Sequence, residues 1–578
     1  MADVLPADNL RRSTRSSVGS TSSRSSKRRS VVRVSKPGLN YGFPDTKLYR
    51  TARLKVLERE KELEHVTELP GAHKFQRERE GDYKTVKCYH YLHGKVYDLR
   101  PFYKFHPGGS DILRMSAGLP DATALFESYH AFADRDGIKE KLQKYLVVED
   151  EEAVERAPAP LYTFEEGGFY DVLTKRVRKQ FGATNEAMNE SVTPNVKANK
   201  TWALKVGTQV FVNLLCYSLA FFARLPTPVA MIFAFIAGWF QIQWGFTAFH
   251  DASHFAIGAR NHWANNTITR VWAAFSMWHG RIWMSHHVAL HHQYTGSPSL
   301  DPDVQHATPM VRKSPDTPEW KVSDLFQKMG DKYGLRGYAA MATLVYAFLP
   351  GMSIGQTRVY LYHRLSKFKN MPSFIKKTER LWGMPKYKDL KGYETKWYEY
   401  AILGAQALIL LARLNPLVVG AYFVSLNIFY AMCIVADHDL VESAITNHVD
   451  FEPVHMHHDG HGTQAPSRTG EDVDRCPDWG EMQVRNTTNF ANSRLNIFGN
   501  QMGNINFQIE HHLFPGMSHV FLPTIAPLVR DTCKEFDIPY TTYPSLTDAW
   551  YSFLIMLKAV MTKKDTDPTE VAKIKRVK

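Results

Sequence analysis

The residues in this sequence with the strongest claim to chemistry are histidines, and they recur at set spacings. His250-Asp251-Ala252-Ser253-His254 places two imidazoles four residues apart. His287-Val288-Ala289-Leu290-His291-His292 repeats the spacing and adds a third ring. Gln508-Ile509-Glu510-His511-His512 carries an adjacent pair with a carboxamide just before it. Positions i and i+4 of a helix share a face, so His250 with His254, and His287 with His291, can each aim two rings at one metal ion. On the same reasoning His292 turns toward a neighbouring site, and Gln508 shares the face of His511 and His512. A lone HxxxH is more often a helix end or a packed histidine. Three sets, each beside an apolar run, would leave many polar groups in need of partners unless a metal satisfies them together. Coordination by nitrogen without thiolate suits iron, zinc or copper. The candidate catalytic residues are therefore His250, His254, His287, His291, His292, Gln508, His511 and His512, and the histidines among them are the candidate metal ligands.

A second constellation lies upstream, in KVYDLRPFYKFHPGGSDILRMSAGLPDATALFESYHAF. A six-coordinate haem takes one imidazole above its plane and one below, supplied by separate helices or turns. His106 and His130 can fill those places. Pro107, Gly108 and Gly109 suit a tight turn that brings backbone close to a flat cofactor. Ile112, Leu113, Leu125 and Phe126 are candidate walls of the pocket. The YDL strand, the HPGG turn, the DAT helix start and a Phe four residues before the second histidine resemble the cytochrome b5 family across residues 82–150. The resemblance implies haem b with His106 and His130 as axial ligands. Two features depart from the family pattern. Tyr129 stands where free cytochromes b5 usually carry a small residue, and the DAT segment comes one residue late.

A one-electron donor in the same chain favours iron over redox-inert zinc at the histidine sets. The order HDxxH, HxxxHH, QxxHH resembles the membrane fatty-acid desaturases. Gln508 in place of a first histidine resembles their front-end subgroup, which commonly carries a fused cytochrome b5. DPDV (301–304) and NFQIEHHLFPGM (506–517) extend the likeness over roughly residues 200–545. The resemblance implies two non-haem iron ions and one more histidine ligand upstream of the third set. His438 is the best positional match. The runner-up is His455, His457, His458 and His461, in a Gly-rich run that reads as a loop. His279 and His286 read as residues that pack behind the ligands or support them.

These residues need elements to hold them. Apolar residues make up 44% of the 578, yet the mean hydropathy is slightly negative, as expected for polar domains attached to a few concentrated apolar segments. The formal charge of +13 allows nucleic acid or an anionic membrane as partner, and the apolar runs favour a lipid bilayer and no nucleic acid. The five cysteines are scattered, with no CxxC pair, which argues against a zinc knuckle or a disulfide framework. Residues 1–40 lack the apolar centre of a secretory signal and read as a disordered Ser/Arg-rich tail. Residues 41–81 read as a linker or outer helix, 82–150 as the haem domain, 151–200 as a connector, 201–550 as the membrane domain and 551–578 as a basic C-terminal tail.

Residues 206–222 and 228–249 form an uncharged apolar hairpin, each arm near the ~20 residues a span requires. A second hairpin covers roughly 398–436, turning at Asn415-Pro416, while 337–354 is broken by Pro350 and Gly351 and is not counted as a full span. The predicted fold class is multidomain: a small α+β haem domain, then an all-α integral membrane domain of about four transmembrane helices with a cytosolic helical cap. The basic loop at 358–391 places both termini in the cytosol. The endoplasmic reticulum follows from the resemblance alone.

The same resemblance implies O2-dependent desaturation of a long-chain fatty-acyl lipid, acyl-CoA or phospholipid-bound. Electrons would come from an NAD(P)H-dependent cytochrome b5 reductase through the haem. Fusion over a connection of about 50 residues would hold the donor at roughly millimolar effective concentration. Hydroxylation of acyl or sphingoid chains, sphingolipid desaturation and a non-catalytic membrane haem carrier are the alternatives. Replacing His106 or His130 with Ala is expected to abolish turnover unless a separate cytochrome b5 substitutes. Product formation in cells lacking any other haem donor is the measurement.

Overall fold

The computed structural model describes residues 89–562, apart from 118, 120, 156, 158–159, 259–261, 297–300, 302, 304–320, 349–394, 414, 439, 441–477 and 492–496. The proposed tail and linker, the 358–391 loop, the 455–461 histidines and residues 563–578 lie outside the described residues.

The haem domain begins with an antiparallel hairpin, His90–Leu92 against Lys95–Tyr97. Its two turn residues, His93 and Gly94, both have positive φ (51° and 70°), the geometry that matches the twist of paired strands. Three short helices follow: Ser110–Ser116, Thr123–Tyr129 and Arg135–Gln143. The Asp134 side chain caps the third by accepting from the Gly137 amide at 2.9 Å. Leu92, Tyr97, Leu99, Ala122 and Leu142 form the small core.

The connector is more than a tether. Its helix Phe169–Gln180 buries Tyr170, Leu173 and Val177 in one core with Ile525, Val529 and Cys533 of the helix Leu522–Glu535 and with Ile509 and Leu513 of the third histidine set. The Tyr170 hydroxyl donates to the Leu513 carbonyl at 3.1 Å. From the same helix, Arg178 reaches the carbonyls of Ala131 and Ala133 at 3.0 and 2.9 Å, so the connector also clamps the segment after His130.

Among the described residues, two helical segments are long and apolar enough to cross a membrane, Thr193–Phe221 and Thr227–Ser253. Of the other expected arms, the helix Trp397–Arg413 has 17 residues, and the helix Pro416–His438 has 23, with Pro416–Met432 as its apolar part. At 1.5 Å per residue, 17 residues cover about 25 Å of a hydrocarbon core about 30 Å thick. The helix Pro416–His438 packs on Thr227–Trp244 through small residues. Ala230, Ala234 and Gly238 recur every fourth residue, and Ala230 and Ala234 share a core with Val418, Tyr422 and Leu426. A Cβ at Gly238 would stand 2.3 Å from the Tyr422 carbonyl oxygen, so the backbones meet there without an intervening side chain.

One boundary moves. The helix Leu546–Thr562 runs well into the stretch assigned to a C-terminal tail, because Phe553, Ile555, Met556 and Leu557 are buried. Trp550 fixes its start by donating to the Met432 carbonyl at 3.2 Å. Among the described residues the strands of this domain are limited to a short parallel pairing, Asn489–Phe490 with Thr542–Tyr543.

The contact at Gly238 generates a test. Gly238→Val should destabilise the helix pair by about 1–3 kcal/mol, the usual penalty for overpacking a close contact. Thermal unfolding in detergent measures it.

Candidate metal centre

The helix Thr227–Trp244 does not end at the first histidine set. It passes through a π-helical turn, Gly245–Phe249, into His250–Ser253, with His254 as the C-cap residue. The His254 amide donates to the His250 carbonyl at 3.1 Å, so the four-residue spacing keeps both rings on one side as expected. Trp272, Trp278, Trp283 and Phe249 pack in one cluster behind them.

The second set departs from expectation. Met284–His291 is π-helical, with hydrogen bonds from i to i+5, so residues five apart come round to one side. His287 therefore shares its group with His292, whose Nε2 lies 3.2 Å from the Nε2 of His287. His291 keeps the expected neighbour, since it stacks on His287 at 5.3 Å and groups with it and Asp303, but it also lies with His438 and His512. The third set also divides. On the helix Gln508–Leu513 adjacent residues diverge, and His511 joins the first group while His512 joins the second. Gln508 follows His512, with its Nε2 2.9 Å from the Nε2 of His438.

The outcome, among the described residues, is two adjoining groups of imidazoles, with His287, His291 and Asp303 as a third, mixed set that draws one ring from each. His250, His254, His287, His292 and His511 form one, and His291, His438 and His512 the other; within each, the candidate ligand atoms lie within 4.8 Å of one another. Nitrogens on opposite sides of a metal ion stand about 4 Å apart at ordinary bond lengths, so either group can close on an ion with small ring movements. The groups meet where His292 stacks on His512, ring centroids 4.2 Å apart. His279 is buried but belongs to neither group, and the 455–461 alternative lies outside the described residues.

Burial, reinforced by mutual repulsion, holds His254, His287, His292, His511 and His512 well below the ordinary histidine pKa. They are neutral near pH 7, the form that binds a metal. Partners on the far side orient several rings. Asp301 carboxylate oxygens lie 3.0 and 3.1 Å from Nδ1 of His291, and Asp301 is itself held by the amides of Gly296 and Asp303 at 2.7 and 2.8 Å. His286 hydrogen-bonds Asp303. His512 Nδ1 meets Gln483 Oε1 at 3.0 Å and Thr295 Oγ1 at 3.1 Å. That leaves Nε2 of His254 and of His512 buried without a hydrogen-bond partner among the described residues. Orphaned imidazole nitrogens amid neutral rings fit a bound metal.

The acidic residues inside the sets are otherwise engaged. Asp251 accepts from Ser518 at 2.8 Å and from His519 Nδ1 at 2.9 Å, and Glu510 accepts from Tyr540 at 2.6 Å and Asn489 at 2.9 Å. Asp301, Gln483, Thr295 and His519 were not singled out from sequence. Asp301 had a signal, since DPDV puts carboxylates ten residues past His291 and a ligating histidine commonly has a carboxylate behind it. Gln483 had none, lying on a separate helix 29 residues before His512.

In the haem domain His106 and His130 face each other with ring centroids 6.3 Å apart. Their Nδ1 atoms are tied to the Gly109 and Phe126 carbonyls at 3.0 and 2.7 Å, so Nε2 is the atom each ring would offer a haem iron. An iron bonded at about 2 Å to an imidazole nitrogen on each side suits that separation. Gly109 has φ 86°, and a Cβ on Gly108 would come within 2.9 Å of the His106 ring, so the turn needs both glycines. Two of the expected pocket walls also make a contact outside the haem domain. Ile112 and Leu125 pack with Met115 against Met284 and Val288 of the π-helical segment that carries the second histidine set. The haem domain is thus docked on the metal centre. Gln293 and Tyr294 both donate to the Asp121 carbonyl at 2.6 Å, and Arg270 pairs with Asp111 at 3.5 Å and with Glu399 at 2.5 Å.

Asp301→Ala should weaken metal retention about 10–100-fold by freeing the His291 ring. Metal analysis of the purified protein across a chelator series reads the change.

The fatty acid desaturase family model matches residues 226–544, more than half of the chain, and the cytochrome b5-like heme/steroid binding domain model matches 73–150. The chain is 28% identical over 486 residues to an acyl-lipid (8-3)-desaturase of Physcomitrium patens, covering 82% of this chain and 88% of the relative. It is 26% identical to an acyl-lipid (8-3)-desaturase of Mortierella alpina (81% and 93% covered) and 25% identical to Delta(5) fatty acid desaturase A of Dictyostelium discoideum (84% and 92%). Two buried imidazole groups and a docked haem domain are what such an oxidase requires, and the chain belongs to the fatty acid desaturase family, with a cytochrome b5-like domain at its N-terminal side.

Proposed function

We propose that this chain introduces a double bond into a long-chain acyl group carried on a membrane lipid, with its own haem domain as immediate electron donor. The observation that carries the reading is the meeting of eight imidazoles, seven buried and His438 half-buried, in two adjoining groups with the haem domain seated against them. The choice of a lipid-borne acyl group, rather than acyl-CoA, follows the names of the acyl-lipid relatives.

In this reading His250, His254, His287, His292 and His511 hold one iron, and His291, His438 and His512 hold the other. Gln508 orients His438, and His106 and His130 hold the haem. The bound irons supply O2 activation and removal of two hydrogens, and the haem supplies electrons one at a time. The chain's own residues keep the imidazoles neutral, fix their rings through Asp301 and Gln483, and exclude water. Trp283 stacks on His287 at 4.3 Å, and tryptophans pack behind the first set. Residues 82–150 and 201–550, the latter extended to Thr562, form the two working domains. The membrane domain would sit in the bilayer through the two apolar segments, with Trp397–Arg413 and Pro416–His438 completing four transmembrane helices. Both termini and the metal centre would then face the cytosol, where an NAD(P)H-dependent cytochrome b5 reductase can reach the haem. The endoplasmic reticulum is the corresponding membrane.

Expression in a desaturase-poor yeast fed candidate fatty acids, with lipids read by mass spectrometry, tests the reading. Loss of two hydrogens is the expected product change. Gain of one oxygen would identify a hydroxylase instead. Purified protein without non-haem iron and without product would leave only a haem carrier.

A further inference from the structure

Tyr129 belongs to the haem domain by sequence and to the metal centre by contact. Its phenolic oxygen lies 2.5 Å from Nδ1 of His254, and the two rings are nearly parallel, 10° apart in plane with centroids separated by 6.1 Å. The next residue in the chain is His130, whose ring faces His106.

The position of Tyr129 is set by the docking. Its helix, Thr123–Tyr129, is held at the start by the bonds from Gln293 and Tyr294 to the Asp121 carbonyl, and the Leu125 amide donates to Gln293 Oε1 at 3.3 Å. Phe255 meets the Tyr129 ring edge-on, centroids 6.2 Å apart. The opposite nitrogen of His254, Nε2, has no hydrogen-bond partner among the described residues and belongs to the first imidazole group. With a metal on Nε2, a neutral His254 carries its proton on Nδ1 and donates it to the Tyr129 oxygen. A ligating histidine normally finds that second partner within its own domain. Here the electron-donating domain supplies it.

We propose that Tyr129 is the positioning and coupling residue between the two redox sites. It fixes the His254 ring, and it completes a bonded route from haem to iron. That route runs from His130 through one peptide link and the tyrosine side chain, then across one hydrogen bond to His254. The proposal rests on the reading of His130 and His254 as ligands. Each passage oxidises the haem iron by one electron and reduces one non-haem iron by one electron. The phenol and the imidazole keep their protons, and Tyr129 carries no lasting charge. A phenylalanine would preserve ring and packing but could accept no hydrogen bond from His254.

The test uses the full chain loaded with haem and iron. One electron is delivered anaerobically to the haem by flash photoreduction, and its passage to the oxidised irons is followed in the haem absorbance, with no substrate or O2 present. Tyr129→Phe should slow this step about tenfold or more while haem spectrum and iron content stay unchanged. Hydrogen exchange over residues 284–294 should also match the parent protein, because the domain contact is intact. Parent-like electron passage in Tyr129→Phe overturns the proposal. So does slow passage accompanied by lost exchange protection, which would make the tyrosine a clamp alone. His254→Ala separates the underlying assignment: if that variant keeps both irons, the ligand reading itself fails. If it loses iron while Tyr129→Phe passes electrons normally, only the coupling role fails.

Discussion

An imidazole taken out of water keeps its need for hydrogen bonds, and eight of them meet in the interior of this chain. Desolvation holds His254, His287, His292, His511 and His512 neutral, and neutrality makes each of those rings an acceptor at one nitrogen and a donor at the other. The donor side must be given a protein partner and the acceptor side must be given a metal. Much of the surrounding structure answers the first demand. Thr295 and Asp301, from the loop after the second histidine set, and Gln483, from a distant helix, turn toward the rings they touch and the loop that presents them. The acidic residues within the sets, Asp251 and Glu510, are drawn off to His519, Ser518, Tyr540 and Asn489, so neither brings a carboxylate into the imidazole groups.

Regular helices would not have met this demand. Both of the first two histidine sets follow or occupy π-helical backbone, Gly245–Phe249 and Met284–His291. A π-turn sacrifices ideal hydrogen-bond geometry and is found mostly where function requires it. Here it lets His287 and His292 converge while His291 turns toward His438 and His512. One continuous segment thereby supplies rings to both groups, which an α-helical face four residues wide would have confined to one.

The haem domain is part of this architecture. A flexible connection would raise the local concentration of the donor but leave its orientation to chance at every encounter. The connector in this chain is instead folded into the principal core through Tyr170, Leu173 and Val177, and Arg178 grips the carbonyls just past His130. Apolar contact between Ile112, Met115 and Leu125 on one side and Met284 and Val288 on the other seats the domain directly over the second histidine set. The donor is thereby held in one orientation, and the ordering entropy is met during folding instead of at each electron transfer.

The sequence determined the chemistry of this protein. Histidine spacing marked the residues that could bind metal, the HPGG turn and its paired histidine marked the haem domain, and the uncharged runs marked the two long apolar segments. These are local signals, carried by residues close together in the chain, and patterns of that kind survive without knowledge of the fold. What only the tertiary structure decided was the partition of rings between the two groups, the supporting role of Asp301 and Gln483, the burial of the 151–200 segment and the extension of the last helix to Thr562. Each depends on contacts between residues far apart in sequence or on a π-helical backbone that no residue type announces. Tyr129 illustrates the division. In the sequence it was only a bulky side chain in an unusual place, and its meaning came from His254, 125 residues away, once the two domains were packed together.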